Sequence, residues 1–281
     1  MTASRGDVLI GASELRVLLA GDVPPTVLDV RWQLGNPDGR ADYESGHVPG
    51  AVYVSLEDEL TDHRVEGRGR HPLPGGPAVE AAARRWGIRT GRPVVVYDDW
   101  NRAGSARAWW VLTAAGVPGV RILDGGLAAW KAMGGELEMG SAPVEPGDVR
   151  VQHADLYAGA LPTLTADGAA ALGAGLVDAR APERYRGDVE PVDPVAGHVP
   201  GAVNVPSTSL LAADGTFLAG NELRAAAGEA AGAYCGSGIT ASVVVAALAS
   251  AGMPVALFPG SWSQWCADPT RPVAVGAPPG R

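Results

Sequence analysis

Gly46-His47-Val48-Pro49-Gly50-Ala51-Val52 recurs without change as Gly197-His198-Val199-Pro200-Gly201-Ala202-Val203. Seven identities in a row identify an internal duplication, and other landmarks repeat in the same order around it. Upstream, Leu28-Asp29-Val30-Arg31 answers Val177-Asp178-Ala179-Arg180. Downstream, Val96-Tyr97-Asp98 answers Ala233-Tyr234-Cys235, and Leu123-Asp124-Gly125-Gly126 with Trp130 answers Phe258-Pro259-Gly260-Ser261 with Trp265. The chain is therefore two copies of one unit, which suits its 281 residues. Gly134 to Gly147 is rich in Gly, Pro and Glu, has neither helical nor strand periodicity, and reads as a linker. The expected division is residues 1–135, a linker over 136–155, and residues 156–281.

Within each copy, short β-branched runs (Thr26 to Val30, Val94 to Tyr97, Val120 to Leu123) alternate with helical stretches (Val79 to Trp86, Ala103 to Ala115). That alternation predicts an α/β fold in each half, a parallel sheet flanked by helices on both faces. Ligands of such sheets bind beyond the carboxyl ends of the strands, so chemistry is expected at the turns after Tyr97 and Tyr234.

Composition narrows the function. The net charge of −9 opposes binding to nucleic acid or to an anionic membrane surface, and no local basic patch offsets it. Two cysteines 31 positions apart, without metal-ligand spacing, exclude a disulfide scaffold and predict no metal site. The N-terminus lacks the pattern of a secretory signal, and Ala241 to Met253, the most apolar segment, is too short to span a bilayer. A cytoplasmic location is the expectation.

The copies differ where chemistry is expected. The first reads Tyr97-Asp98-Asp99-Trp100-Asn101-Arg102-Ala103-Gly104-Ser105, the second Tyr234-Cys235-Gly236-Ser237-Gly238-Ile239-Thr240-Ala241-Ser242. A cysteine that ends a strand, followed by glycines and a helix, sits among backbone N–H groups at the positive end of a helix dipole, surroundings that favour thiolates. Cys235 is the nucleophile candidate; Cys266 has no such setting and reads as a packing residue.

The stretch Cys235 to Ala241 resembles the active-site loop of the rhodanese superfamily, in particular its 3-mercaptopyruvate sulfurtransferase branch. The paired DVR/DAR strands, the GHVPGAV segments and the LDGG…W and FPGSW…W closers resemble that family's tandem pattern over nearly the whole chain. The resemblance implies two tandem rhodanese-like domains: a catalytically silent first domain, and a second whose Cys235 takes up sulfur as a persulfide with no cofactor. It implies a cradle of N–H groups from Gly236, Ser237, Gly238, Ile239 and Thr240. It also implies a small anionic sulfur donor, thiosulfate or 3-mercaptopyruvate, and a thiol acceptor such as thioredoxin or a small thiol, or cyanide. Arg184 matches a family arginine that clamps the donor's anionic group. A Ser–His–acid relay proposed in the mercaptopyruvate branch maps to Ser237, His71 and Glu57. Thiosulfate-preferring members carry basic residues after the cysteine, and Gly236 and Ser237 supply none. Mercaptopyruvate enzymes usually carry a second arginine nine residues beyond the first, where this chain has Asp193 beside Val192. Both donors therefore stay open.

His47 and His198 recur in both copies although only one copy has a cysteine, which predicts that they bond backbone at the turn. Val52 to Tyr97 spans 45 positions, but Val203 to Tyr234 only 31, so the second copy is shorter ahead of its cysteine. Little chain is left there beyond the alanine-rich, helix-prone Asn221 to Ala233 for the strand that must present Cys235. Two other activities compete: a cysteine phosphatase on the same fold, which needs C-x5-R where this chain has Ala241, and a non-catalytic sulfur-relay or binding module.

Overall fold

The computed structural model describes residues 4–141 and 144–277. The first half runs α1 (Arg5–Val8), β1 (Leu9–Ile10), α2 (Ala12–Leu19), β2 (Thr26–Asp29), α3 (Arg40–Ser45), β3 (Val52–Tyr53), α4 (Leu56–Glu59), α5 (Gly76–Arg85), β4 (Val94–Tyr97), α6 (Ala103–Ala114), β5 (Val120–Leu123) and α7 (Gly126–Ala132). The second runs α8 (Ala166–Leu172), β6 (Leu176–Asp178), α9 (Pro182–Arg186), β7 (Val203–Asn204), a 3-10 turn at Ser207–Leu210, α10 (Gly220–Ala227), β8 (Gly232–Tyr234), α11 (Thr240–Ser250), β9 (Ala256–Leu257) and α12 (Ser261–Trp265). Each half holds its own sheet, in the orders β1-β5-β4-β2-β3 and β7-β6-β8-β9, and every pairing is parallel. A parallel sheet covered on both faces needs apolar strands throughout, and the fully buried Val94–Tyr97 supplies one. The place of β1 in the second sheet shrinks to a single parallel bridge between Thr163 and Leu257.

The recurring heptapeptide is a turn locked from several sides, identically in both copies. The Val48 and Val199 N–H groups donate to the Tyr97 and Tyr234 hydroxyls at 3.0 Å, and the Tyr43 and Tyr185 hydroxyls donate to the Ala51 and Ala202 carbonyls. Arg31 and Arg180 reach the Gly46 and Gly197 carbonyls while paired to Asp29 and Asp178. His47 and His198 bond the Tyr43 and Tyr185 carbonyls through Nδ1 and stack on those rings, as their presence in both copies predicts.

The halves meet along α6 and α11, whose small residues let the two helices approach closely. Both are buried on nearly every face, which accounts for their lack of an amphipathic stripe. One apolar core runs continuously through the contact, from Val30 and Trp110 to Val244 and Leu248. The expected linker does not hang free. The Gly147 N–H donates to the Arg84 carbonyl and the Gln152 N–H to that of Ala115, which pins the segment against the first half.

The strand ahead of Cys235 is complete despite the shorter copy. β8 pairs with β6 and β9, and α10 precedes it. Half of the missing length lies between the short helix after the edge strand and the next long helix. Glu59 and Gly76 enclose a 16-residue loop in the first half, whereas Leu210 and Gly220 enclose nine residues in the second. The first half thus owns an extra arm, which carries Arg68, Arg70 and His71.

Candidate functional site between the two halves

Cys235 leaves the end of β8 and begins the loop into α11. Its backbone is fixed by Ser261, whose Oγ accepts the Cys235 N–H at 3.1 Å and donates to the Phe258 carbonyl. Ser261 itself holds a left-handed backbone at φ 52°, a conformation costly for a non-glycine residue. The Gly238 N–H donates to Cys235 Sγ at 3.1 Å. Gly238 stands at φ +84°, and a Cβ there would lie 2.4 Å from the Pro259 carbonyl oxygen, so only glycine fits this turn. Among the described residues, the N–H groups of Gly236, Ser237, Ile239 and Thr240 find no acceptor. A free end of the eleven-residue α11, with its positive dipole, therefore surrounds the sulfur.

Cys235 is 2 % exposed yet lines a cleft of about 280 Å³ that both halves build. Arg180, Arg184, Ser207 and the loop after Cys235 form one wall; Trp32, Leu34, Arg70, Trp100 and Asn101 form the other. Trp100 and Asn101 belong to the first copy's equivalent loop, whose own centre is closed by Asp98. The Asp98 carboxylate accepts from the Trp100, Arg102 and Ser105 N–H groups and from Ser105 Oγ, and pairs with the buried Arg102 guanidinium at 2.9 Å. An internal anion fills the N–H cradle that the second copy leaves open.

The arm of the first half crosses the cleft. His71, 3 % exposed, lies with Nδ1 2.6 Å from Ser237 Oγ and Nε2 3.2 Å from Glu57 Oε1. The Glu57 carboxylate can only accept, so Nε2 carries the proton and Ser237 Oγ–H donates to Nδ1. Glu57 also accepts from Trp32 Nε1 at 2.6 Å and lies 3.1 Å from His63 Nε2. The His71 hydrogen bond, aided by Trp32 and the charges of His71 and His63, outweighs partial burial and holds Glu57 at about 2. Burial pushes His71 below the usual imidazole value, with Glu57 opposing only in part, so the ring is neutral at neutral pH. Beneath the arm, the fully buried Arg107 donates to the Leu60 and His71 carbonyls at 3.0 Å. Burial lowers that guanidinium to about 10.

Arg184, on α9, donates from Nε and Nη2 to Glu190. Arg70 reaches across from the arm, and its Nη1 donates to Asp193 Oδ1 at 2.7 Å. Both guanidinium groups turn toward Gly236: a Cβ on that residue would lie 3.3 Å from Arg70 Nη2 and 3.5 Å from Arg184 Nη1. The fold thus brings Cys235, its loop with Ser237, and Arg184 to one cleft, with His71 behind Ser237 and Glu57 behind His71, where Glu57 lines a separate pocket. Sequence reasoning missed Arg70, Trp32, Trp100 and the support from Arg107. The signal that could have found Arg70 was the extra length of the first copy between Glu59 and Gly76. Among the described residues there is no cluster of three metal-ligating side chains, and no helix is long and apolar enough to cross a membrane.

Against known proteins, the model of the rhodanese-like domain matches residues 12–133 and 161–268. A Mycobacterium tuberculosis protein, SseB, named provisionally as a thiosulfate sulfurtransferase, is 61% identical over 280 residues, 97% of this chain and 99% of its own length. A Pseudomonas aeruginosa protein, named provisionally as a 3-mercaptopyruvate sulfurtransferase, is 45% identical over 263 residues, 89% of this chain and 92% of its own. The crystal structure of SseA from Escherichia coli, described as a 3-mercaptopyruvate sulfotransferase of rhodanese fold, superposes with a TM-score of 0.78 at 31% identity, covering 91% of this chain and 98% of the other.

Proposed function

Because this chain belongs to the rhodanese family through both of its halves, we propose that it is a sulfurtransferase that moves a sulfane sulfur from a small anionic donor to a thiol acceptor through a Cys235 persulfide. The observation that carries this reading is the Cys235 sulfur at the open N-terminus of α11, bonded by the Gly238 N–H and facing the shared cleft. The neighbouring free N–H groups stabilise negative charge on either sulfur of the persulfide. Arg184 and Arg70 hold the anionic group of the donor.

With thiosulfate, the Cys235 thiolate attacks the outer sulfur; the S–S bond of the donor breaks and its electron pair leaves with sulfite. No proton moves. With 3-mercaptopyruvate, the thiolate attacks the donor sulfur and the C–S pair passes to the carbon, giving the enolate of pyruvate. The proton of the donor thiol must reach that carbon. Neutral His71 is the base that takes it through Ser237, Glu57 stabilises the imidazolium so formed, and the same proton then returns to the enolate. The Ser237–His71–Glu57 chain thus serves a donor that carries a proton, and mercaptopyruvate is the donor it suits. An acceptor thiolate then attacks the outer sulfur of the persulfide and restores Cys235. A cytoplasmic acceptor such as thioredoxin or a small thiol fits this last step.

Phosphatase chemistry lacks its cation: the sixth residue after Cys235 is Ala241, buried in α11. The test is sulfur transfer to cyanide from each donor by the purified protein and by Cys235→Ser. Turnover by the parent, with a mass gain of one sulfur atom on Cys235 that the variant lacks, is expected. A variant as active as its parent, or a parent inert toward both donors, overturns the proposal; the second result would leave a relay module.

A further inference from the structure

Asp193 stands between the two cleft arginines. Its side chain is 4% exposed; Oδ1 accepts from Arg70 Nη1 at 2.7 Å and Oδ2 lies 3.4 Å from Arg184 Nη2. Glu190, equally buried, takes Nε and Nη2 of Arg184 and pairs with Arg180, which is itself bound to Asp178. Burial raises the Glu190 carboxyl, but the hydrogen bond from Arg184, with those of the Asp193 and Val192 N–H groups, outweighs it and keeps Glu190 ionised. What the two guanidinium groups leave free is one edge each. Among the described residues neither Arg70 Nη2 nor Arg184 Nη1 meets an acceptor, and both lie beside the Gly236 position. Two positive charges at the donor subsite are therefore matched by two buried negative charges, and an incoming anion finds two open donors but no net positive side-chain charge.

We propose that Asp193 sets donor charge selectivity: as a built-in counter-anion bridging Arg70 of one half and Arg184 of the other, it disfavours a dianionic donor relative to a monocarboxylate. The repulsion between Asp193 and a bound anion grows with the charge of that anion, so thiosulfate suffers twice what a carboxylate does at the same place. Burial keeps the interaction from being screened as a surface pair would be. This inference rests on the sulfurtransferase reading and names the donor class within it.

The experiment compares KM and kcat for thiosulfate and for 3-mercaptopyruvate in the intact protein, Asp193→Asn and Arg70→Gln. For Asp193→Asn the expected result is a KM for thiosulfate lower by about tenfold or more and a KM for mercaptopyruvate lower by about threefold, with kcat little changed for either. Arg70→Gln makes the subsite one charge more negative and is expected to shift selectivity the other way, raising KM for thiosulfate more than for mercaptopyruvate. Should Asp193→Asn fail to fold, Asp193→Ser, which removes the same charge and keeps a polar side chain, is read in its place. A thiosulfate-to-mercaptopyruvate kcat/KM ratio that stays within twofold of the parent's in the folded variants overturns the proposal. A parent inert toward both donors would refute the catalytic reading instead. In that case the binding of thiosulfate and of pyruvate to Cys235→Ser, with and without Asp193→Asn, still decides: thiosulfate must gain about threefold or more over pyruvate, and an equal gain overturns the inference.

Discussion

Replacing Glu57 by glutamine separates the two donors more sharply than any change at the sulfur itself. Glutamine keeps an oxygen for the Trp32 and His71 N–H groups and removes the charge that stabilises the imidazolium. At the 3.2 Å separation of Glu57 Oε1 from His71 Nε2, Coulomb's law with an effective dielectric of about 20 gives an upper bound of about 5 kcal/mol. The carboxylate is 27% exposed and shared with His63, and a charge-assisted hydrogen bond is worth about 1.5–3 kcal/mol net, so about 2–3 kcal/mol is the working figure. At about 1.36 kcal/mol per tenfold, that loss slows the proton-dependent step by roughly 30- to 150-fold. Thiosulfate needs no proton, and its rate is expected to stay within about threefold of the parent's. The assay is single-turnover persulfide formation on Cys235 with each donor from pH 6 to 9, read by intact mass. Burial places the His71 transition below the ordinary imidazole value, so the parent's mercaptopyruvate rate is expected to be flat above neutral pH. Equal slowing with both donors, or none with mercaptopyruvate, would refute the relay and reduce Ser237, His71 and Glu57 to a structural strut.

Two further outcomes follow from the same geometry. The depressed carboxyl of Glu57 contributes stability that is fully present above the unfolded value of 4.5 and is lost as pH falls toward about 2. That gap is worth about 3 kcal/mol undiscounted and about 1–2 kcal/mol after allowing for solvent at the exposed part; the difference in urea midpoint between parent and Glu57→Gln must shrink below pH 4.5, and a constant difference down to pH 3 would sink the assignment. Gly238→Ala forces a left-handed alanine and a Cβ 2.4 Å from the Pro259 oxygen, so a stability loss of about 2–4 kcal/mol and at least about tenfold slower persulfide formation with both donors are expected. Parent-like thermal unfolding and turnover would show that the loop at the sulfur tolerates another shape.

Much of the fold could be read in the chain because the duplication doubles every signal. The runs Val94 to Tyr97 and Val120 to Leu123 appear as strands with those same limits, and α6 ends within one residue of its expected end. The α10–β8 segment was harder. Gly232–Tyr234 has only three residues and weak strand propensity, and it is a strand because β6 and β9 hold it on both sides. Cys235 and its loop could be named from the residues themselves, and Arg184, His71 and Glu57 from the family resemblance. That they converge could not be read locally: Ser237 and His71 are 166 positions apart and meet only because α6 packs on α11. Arg70 lacked any motif of its own, and Asp193 read as a missing arginine, although the structure gives that carboxylate a partner in each half.

The division of labour between the copies has a physical logic visible in what they share and what they do not. Residues repeated without change, Gly46 to Val52 and Gly197 to Val203, do one structural job twice: tyrosine hydroxyls, an arginine–aspartate pair and a histidine lock the same turn. Nothing in that lock distinguishes the half that holds Cys235 from the half that does not. The difference lies in two local edits. Asp98 in place of a thiol fills its own N–H cradle with a carboxylate, and four neutral donors and one guanidinium then hold it too firmly for an external anion to compete. The longer arm after Glu59 reaches beyond its own half and delivers Arg70 and His71 to the other sulfur. A first half without that arm would leave Cys235 with its cradle and Arg184 but without Arg70 and His71. Such a protein should bind thiosulfate less tightly for want of Arg70 yet still take up its sulfur, and lose transfer from a donor whose proton has to be carried.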